Sequence, residues 1–236
     1  MTPLFTAMLY SLIGGITIPI GGFLARVEHI HQRWLQREFR HFVLAFGAGA
    51  LLAAVALVLV PEGISALTPT LATLAFGCGG LVFFAFRRWL SQHGGAGAML
   101  VALVLDFVPE ALAMGAMFTS HAATALLLAV MIALQNLPES FNAFREIRQG
   151  SGMDSTRILI FFALVSLLGP LSAWVGFTFL AANPALLGAI MLFAAGGILY
   201  LIFQDIAPKV PLENDWAPPL GVVLGFMLGL LGQMVI

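Results

Sequence analysis

The chain has 236 residues, of which 61% are hydrophobic and 9% are charged, and its mean hydropathy is +1.03. This balance excludes an ordinary soluble domain and indicates a polytopic membrane protein. The formal net charge of −1 predicts no nucleic-acid partner. The single cysteine, Cys78, excludes an intramolecular disulfide framework.

Long apolar runs predict membrane-spanning helices, because ~20 apolar residues cross a hydrocarbon core of ~30 Å, whereas barrel strands alternate over ~10 residues. The runs between polar breaks predict eight spans, at roughly 4–25, 42–60, 68–86, 97–119, 122–144, 157–181, 185–206 and 217–236. No charge precedes Arg26, so we expect the first run to be a span and not a cleaved signal peptide. Only Ser120 and His121 separate spans 4 and 5, which predicts a tight helical hairpin.

Basic residues fall only in the odd-numbered connections between spans. They are Arg26, Arg33, Arg37, Arg40, Arg87, Arg88, Arg145, Arg148, Arg157 and Lys209. The positive-inside rule places these connections in the cytoplasm and both termini outside it. Short loops favour the inner membrane of a prokaryote as the location.

Two parts of the chain resemble each other. Residues 45–49 (AFGAG) and 59–62 (LVPE) match 192–196 (LFAAG) and 206–209 (IAPK) at an offset of 147. The segments SLIG and PTL in spans 1 and 3 match SLLG and PPL in spans 6 and 8. Spans 1–3 therefore map onto spans 6–8, five spans later, so the copies are inverted in the membrane, as in many transporters. Chance similarity between Gly- and Ala-rich helices is the alternative.

The predicted fold is all-α, with eight transmembrane helices in a 3+2+3 arrangement. Residues 1–236 form one polytopic membrane domain. The inverted repeats cover about 4–90 and 157–236, and the central hairpin of spans 4 and 5 covers about 97–145.

The central hairpin contains two related motifs, Asp106-x-x-Pro109-Glu110 and Gln135-x-x-Pro138-Glu139, 29 residues apart. Residues at i and i+4 share one helix face, so each motif directs two oxygen-bearing side chains the same way. Each proline leaves the carbonyl four residues earlier without its usual donor and bends the helix. Two such helices side by side would bring the four side chains together within the membrane.

Charged carboxylates are costly at this depth, at ~2.5–3.5 kcal/mol each on insertion scales, and no Lys or Arg lies within the spans to neutralise them. Protonated acids bonded between helices, a proton relay, or acids facing a wet cavity are three alternatives. Three carboxylates and an amide at matched spacing favour a bound cation. Because all donors are oxygens, they suit Mn²⁺ or Fe²⁺, although Zn²⁺ also accepts carboxylates.

At these residues the sequence resembles the ZIP (Zrt/Irt-like) family of divalent metal transporters. The stretches DFVPEALAMG (106–115) and QNLPES (135–140) are similar to that family's His-Asn-x-Pro-Glu-Gly motifs in spans 4 and 5. The resemblance implies eight spans, outside termini and uptake of Zn²⁺, Fe²⁺ or Mn²⁺ into the cytoplasm, as one helix group moves against the other. It also implies a metal site at Asp106, Glu110, Gln135 and Glu139.

The chain departs from that family at several positions. Asp106 replaces the first histidine, and Phe107, which cannot coordinate, replaces the asparagine. Relatives carry a glutamate in span 6, where this chain reads LGP (168–170), so we expect one metal ion at a time. Four further polar residues are candidates for lining the ion pathway: Asn136, Asn142, Glu62 and Asp205. A pair between Asp205 and Lys209 at i+4 is a simpler expectation for Asp205.

We therefore expect a transporter of divalent metal cations that is not an enzyme, has no resident cofactor and uses no ATP, since no Walker-type loop occurs. A ZIP-like sensor or scaffold that has lost transport is the alternative function, and a proton-coupled carrier of organic cations is another. An intramembrane aspartyl protease would need two catalytic aspartates, and the only candidates within the spans are Asp106 and the peripheral Asp205. The expected partners are membrane lipid and the metal substrate, with a homodimer as a candidate assembly.

Overall fold

The computed structural model describes residues 2–28, 38–93, 96–210 and 216–235, which form helices and no strands. The helices are α1 (Pro3–Val27), α2 (Arg40–Ser65), α3 (Pro69–His93), α4 (Ala96–Met117), α5 (Ala122–Ser151), α6 (Ser155–Leu180), α7 (Pro184–Lys209) and α8 (Leu220–Val235). Each helix overlaps one predicted span, and seven are long and apolar enough to cross a membrane, while α8 is shorter. The expectation of an all-α fold is confirmed for the described residues, and the length and apolar composition of these helices are compatible with an integral membrane protein.

Several helices continue beyond the apolar run that predicted them. The largest extensions are in α3, which was predicted to end near 86 and ends at His93, and in α5, which was predicted to end near 144 and ends at Ser151. Polar residues there continue the backbone hydrogen bonding until Gly152, whose φ of 64° is left-handed and ends the helix. The next helix begins after Asp154, whose carboxylate accepts a hydrogen bond from the Thr156 N–H at 2.9 Å. That backbone contact lowers the pKa of the exposed Asp154 carboxyl.

Three helices contain a wide π-helical turn, at Ala54–Leu59 in α2, Gly176–Leu180 in α6 and Ile202–Ile206 in α7. The turns in α2 and α7 come just before Pro61 and Pro208. A proline cannot donate to the carbonyl four residues earlier and its ring crowds that carbonyl, so the helix locally opens to a wider turn.

The helices of the described chain pack in two groups of four, called here the central group and the flanking group. In the central group, α1 packs on α5 and α6, and α4 packs on the same two helices. In the flanking group, α2 packs on α7 and α8, and α3 packs on α7. The groups meet mainly where α2 contacts α5 and where α4 contacts α7. The α4–α5 pair is thereby enclosed by helices from both groups.

Glycines allow the closest helix contacts within the flanking group. A methyl group added at Gly49 of α2 would overlap the backbone of Val222 in α8, and one added at Gly79 of α3 would overlap that of Phe193 in α7. Small residues of this kind permit tight packing in membranes, where lipid competes with side chains for apolar contacts.

The ends of α1, α3, α5 and α7 and the starts of α2 and α6 lie at the same end of the bundle. We call it the basic end. Ion pairs and cavities there bring together basic residues from separate connections: Arg26, Arg40, Arg87, Arg145, Arg148 and Lys209. Arg33 and Arg37, which share the sequence pattern, lie outside the described residues.

Candidate ion-binding site

The four side chains singled out by the two motifs converge between α4 and α5. Asp106 is 3% exposed, and Glu110 and Gln135 are completely buried. Glu139 is partly exposed as a residue, because it borders a cavity, but its Oε2 atom is buried. The i, i+4 spacing on each helix thus brings two polar pairs to one place.

Two contacts hold the cluster together. The Gln135 amide donates a hydrogen bond from Nε2 to Glu110 Oε2 at 2.5 Å. The carboxyl groups of Asp106 on α4 and Glu139 on α5 are close neighbours.

Each of the four residues also has one buried oxygen with no hydrogen-bond partner. These atoms are Asp106 Oδ2, Glu110 Oε1, Gln135 Oε1 and Glu139 Oε2. Buried polar atoms are normally paired, so four unpartnered oxygens in one cluster need an explanation. None of the ion pairs formed within the described residues includes Asp106, Glu110 or Glu139.

The cluster is not arranged as a ready coordination shell. Across the described ranges, no group of three or more His, Cys, Asp or Glu side chains is placed to hold a metal ion. The physical reason is visible in the two contacts, which pair the carboxyl groups with a neighbouring acid or an amide.

Neighbouring helices approach α5 closely on both sides of Glu139. A methyl group at Gly47 of α2 would lie 2.7 Å from Pro138 Cγ, and one at Gly21 of α1 would overlap Ser140. These glycines show no signal of their own in the sequence, because glycine is common throughout the chain. Only the helix packing identifies them as neighbours of the cluster.

Among the proposed pathway residues, Asn142 and Asp205 line a cavity of about 70 Å³ that also borders Glu139. Asn142 donates a hydrogen bond to the Pro138 carbonyl at 2.9 Å. By contrast, Asn136 is 1% exposed and donates to the Gly14 carbonyl of α1 at 3.3 Å, so it faces a helix contact and not the cavity. Glu62 lies at the other end of the bundle, with its Oε2 3.5 Å from His121 Nδ1.

The expected pair between Asp205 and Lys209 is wrong. Asp205 pairs with Arg87 of α3, and Lys209 pairs with Glu146 of α5 at 2.6 Å. Asp205 lies in the π turn of α7, where the wider turn breaks the i, i+4 relation between side chains.

Sequence reasoning missed Glu146 and Arg87. Glu146, Lys209 and Asn142 line the cavity next to Glu139 and also a larger cavity of about 440 Å³ at the basic end. The available signal was that Glu146 is an acid placed between Arg145 and Arg148 in a basic connection.

Phe107, which replaces a coordinating residue in the resembling motif, is completely buried. Methyl groups added at Gly15 of α1 or Gly169 of α6 would lie 2.8 Å and 2.6 Å from its Cζ atom. The ring therefore fills the crossing of α1 and α6, and its role here is packing.

Comparison of the chain with protein-family models gives no match, and comparison with curated proteins gives none either. The resemblance to the ZIP family therefore rests on the two proline-containing motifs and on the order of the spans.

Proposed function

We propose that this chain transports divalent metal cations across a membrane, with Asp106, Glu110, Gln135 and Glu139 binding the ion between α4 and α5. The observation that carries the proposal is the set of four buried, unpartnered oxygens, one from each of these residues. A single divalent cation would satisfy all four oxygens at the same time.

The energetics favour a missing positive charge over a purely structural role. Leaving a buried hydrogen-bonding group unsatisfied costs ~1–3 kcal/mol, and more when the group is charged. Replacing such a polar cluster with apolar side chains would remove this cost. A chain that keeps three acids and an amide here, without a Lys or Arg partner among the described residues, gains from them only when a cation binds.

The donor set supports a cation that accepts oxygen ligands. Carboxylates and an amide carbonyl suit Mn²⁺, and Fe²⁺ and Zn²⁺ also accept carboxylates. No imidazole or thiolate lies among the four donors, which is why we favour Mn²⁺ or Fe²⁺ over Zn²⁺. Four donors at one place suit one ion at a time.

The helix packing supports the 3+2+3 arrangement with inverted repeats, and this arrangement allows one helix group to move against the other. Exchanging α1 with α6, α2 with α7, α3 with α8 and α4 with α5 leaves the set of main helix contacts unchanged. The π turns of α2 and α7 fall at matching places in the two repeats. Gly49 of α2 and Gly196 of α7, equivalent in the repeat, each pack against the backbone of the third helix of a repeat, at Val222 and Phe76. Related halves of this kind can exchange inward-open and outward-open shapes around a shared site.

The charge distribution supports a cytoplasmic position for the basic end, the short loops favour a prokaryotic inner membrane, and the ZIP resemblance implies uptake into the cytoplasm. The basic end would lie in the cytoplasm, and both termini would lie outside it. The cavity beside Glu139 extends towards the basic end, as an exit route for an incoming ion requires.

Uptake into proteoliposomes tests the proposal. We expect the parent protein to carry Mn²⁺, Fe²⁺ or Zn²⁺ down a gradient, and the Glu110→Gln and Glu139→Gln variants to lose most of this flux. Asp154→Asn is the matched control, because it also removes a carboxylate but changes an exposed group at the start of α6. Parental flux of every metal in both cluster variants would overturn the site assignment.

A sensor or scaffold that binds metal without transporting it is the second candidate. Two observations favour it: the described acids are not arranged as a coordination shell, and Phe107 is a packing residue. Saturable metal binding with no flux under any gradient would establish this function in place of transport.

A further inference from the structure

Two polar pairs join the central group to the flanking group, one at each end of the bundle. At the basic end, Lys209 of α7 pairs with Glu146 of α5 at 2.6 Å. At the opposite end, Glu62 of α2 lies 3.5 Å from His121, the residue just before α5. In both cases the flanking group supplies a residue near the end of a repeat helix, and the central group supplies a residue near one end of α5.

The two flanking residues are equivalent in the repeat. Glu62 follows Pro61 and Lys209 follows Pro208, and each proline comes shortly after a π turn. Glu62 is acidic and Lys209 is basic; their partners are His121, which carries a positive charge only when it is protonated, and the acidic Glu146. The inverted repeat therefore places a polar pair near each end of α5. The flanking group supplies the acidic residue of one pair and the basic residue of the other.

The other two ion pairs of the described chain do not join the groups. Glu28, which follows α1, pairs with Arg145 of α5 inside the central group. Arg87 of α3 pairs with Asp205 of α7 inside the flanking group. Relative movement of the two groups would leave these pairs intact, whereas it would break a pair that spans the groups.

The basic-end pair also lies on the route from the ion site. Glu146 and Lys209 both line the cavity of about 70 Å³ that borders Glu139, and both line the larger cavity of about 440 Å³. The side chains are 42% and 48% exposed, so water screens their attraction and the pair is weak enough to open repeatedly.

We propose that Glu146–Lys209 and Glu62–His121 are two latches, each of which holds the central and flanking groups together at its own end while the other end opens. The proposal rests on the transport function given above and adds the residues that decide which end is closed. Breaking the basic-end latch shifts the protein towards a shape open at the basic end, and breaking the opposite latch shifts it the other way.

Thiol labelling of a residue in the small cavity tests this without any metal. Ala143 lines that cavity and is 4% exposed, so an Ala143→Cys substitution in a Cys78→Ser background reports how often the cavity opens. In lipid nanodiscs, where both ends are accessible, Lys209→Gln should raise the labelling rate. An exposed ion pair supplies ~0.2–1 kcal/mol, which converts to an increase of about 1.4- to 5-fold.

Three further variants make the result specific. The charge swap Glu146→Lys with Lys209→Glu should restore the parental rate, because it re-forms the pair with reversed charges. Glu62→Gln should lower the rate, because it releases the opposite end. Asp154→Asn is the control, since it removes an exposed carboxylate whose contacts lie within the central group, and it should leave the rate unchanged.

An unchanged rate in Lys209→Gln, no recovery in the charge swap, or a change of the same sign in Glu62→Gln would each overturn the latches. The transport proposal fails separately, on flux. If the labelling rates change in the predicted directions but the protein carries no metal, the latch proposal is supported and the transport proposal is rejected.

Discussion

The Glu110→Gln substitution gives the sharpest test of the ion site, because it removes one charge and almost no volume. Glu110 is completely buried, accepts the Gln135 amide with one oxygen and has its other oxygen unpartnered. A glutamine can rotate so that its carbonyl still accepts from Gln135. In the absence of metal, we expect thermal stability to be equal or higher, since the variant removes an ionisable group that is buried beside a second acid, Asp106.

The effect of metal should change much more. A ligand at 100 times its dissociation constant stabilises the folded state by about 2.7 kcal/mol, which corresponds to a Tm rise of roughly 5–11 °C in a chain of 150–250 residues. A hydrogen bond or ligand contact to a charged group contributes ~1.5–3 kcal/mol, so its loss weakens binding at least about tenfold. At the same metal concentration, the variant should gain only about 1.4 kcal/mol or less, a Tm rise of roughly 3–6 °C at most.

The assay is thermal unfolding of the detergent-solubilised protein, followed by tryptophan fluorescence, over a titration of Mn²⁺, Fe²⁺ and Zn²⁺ against a chelator baseline. Asp154→Asn again serves as the control and should keep the parental midpoint, because asparagine caps a helix about as well as aspartate. Equal metal-dependent shifts in the parent and in Glu110→Gln would refute the argument that Glu110 binds the ion.

Three other substitutions test separate parts of the structure. Gly49→Ala should lower the free energy of unfolding by about 1–3 kcal/mol in a denaturant titration, because the methyl group would overlap the Val222 backbone. Gly77→Ala is the control and should be neutral or stabilising, because its methyl group meets nothing within 4 Å. Phe107→Asn should destabilise the protein by about 3–5 kcal/mol without strengthening metal binding, because the Phe107 side chain packs between α1 and α6. Tighter metal binding in a calorimetric titration would contradict this packing role. Gln135→Glu should lower the chelator-baseline Tm by adding a fourth buried acid and should increase the metal-dependent rise; an unchanged rise would argue against Gln135 as a ligand.

The sequence by itself determined the helical class, the number of apolar helices and the four residues of the cluster. These features follow from local rules: the length of an apolar run, the i, i+4 spacing within one helix and the high cost of a carboxylate in lipid. Asp106 and Glu110 could be assigned to one helix face because the i, i+4 spacing within a single helix is enough to place them there. Helix ends were less accurate, as α5 shows, because polar residues can continue a helix after its apolar run has ended.

Tertiary structure decided which atoms meet. The hydrogen bond from Gln135 to Glu110 and the contact between Asp106 and Glu139 depend on how α4 and α5 pack, which no local pattern specifies. The expectation for Asp205 failed because a π turn changed the register of α7, so its partner became Arg87. Glu146 lines a cavity together with Lys209, which lies on α7 of the flanking group. Only the packing of the two groups brings these side chains together, because they are distant in the sequence.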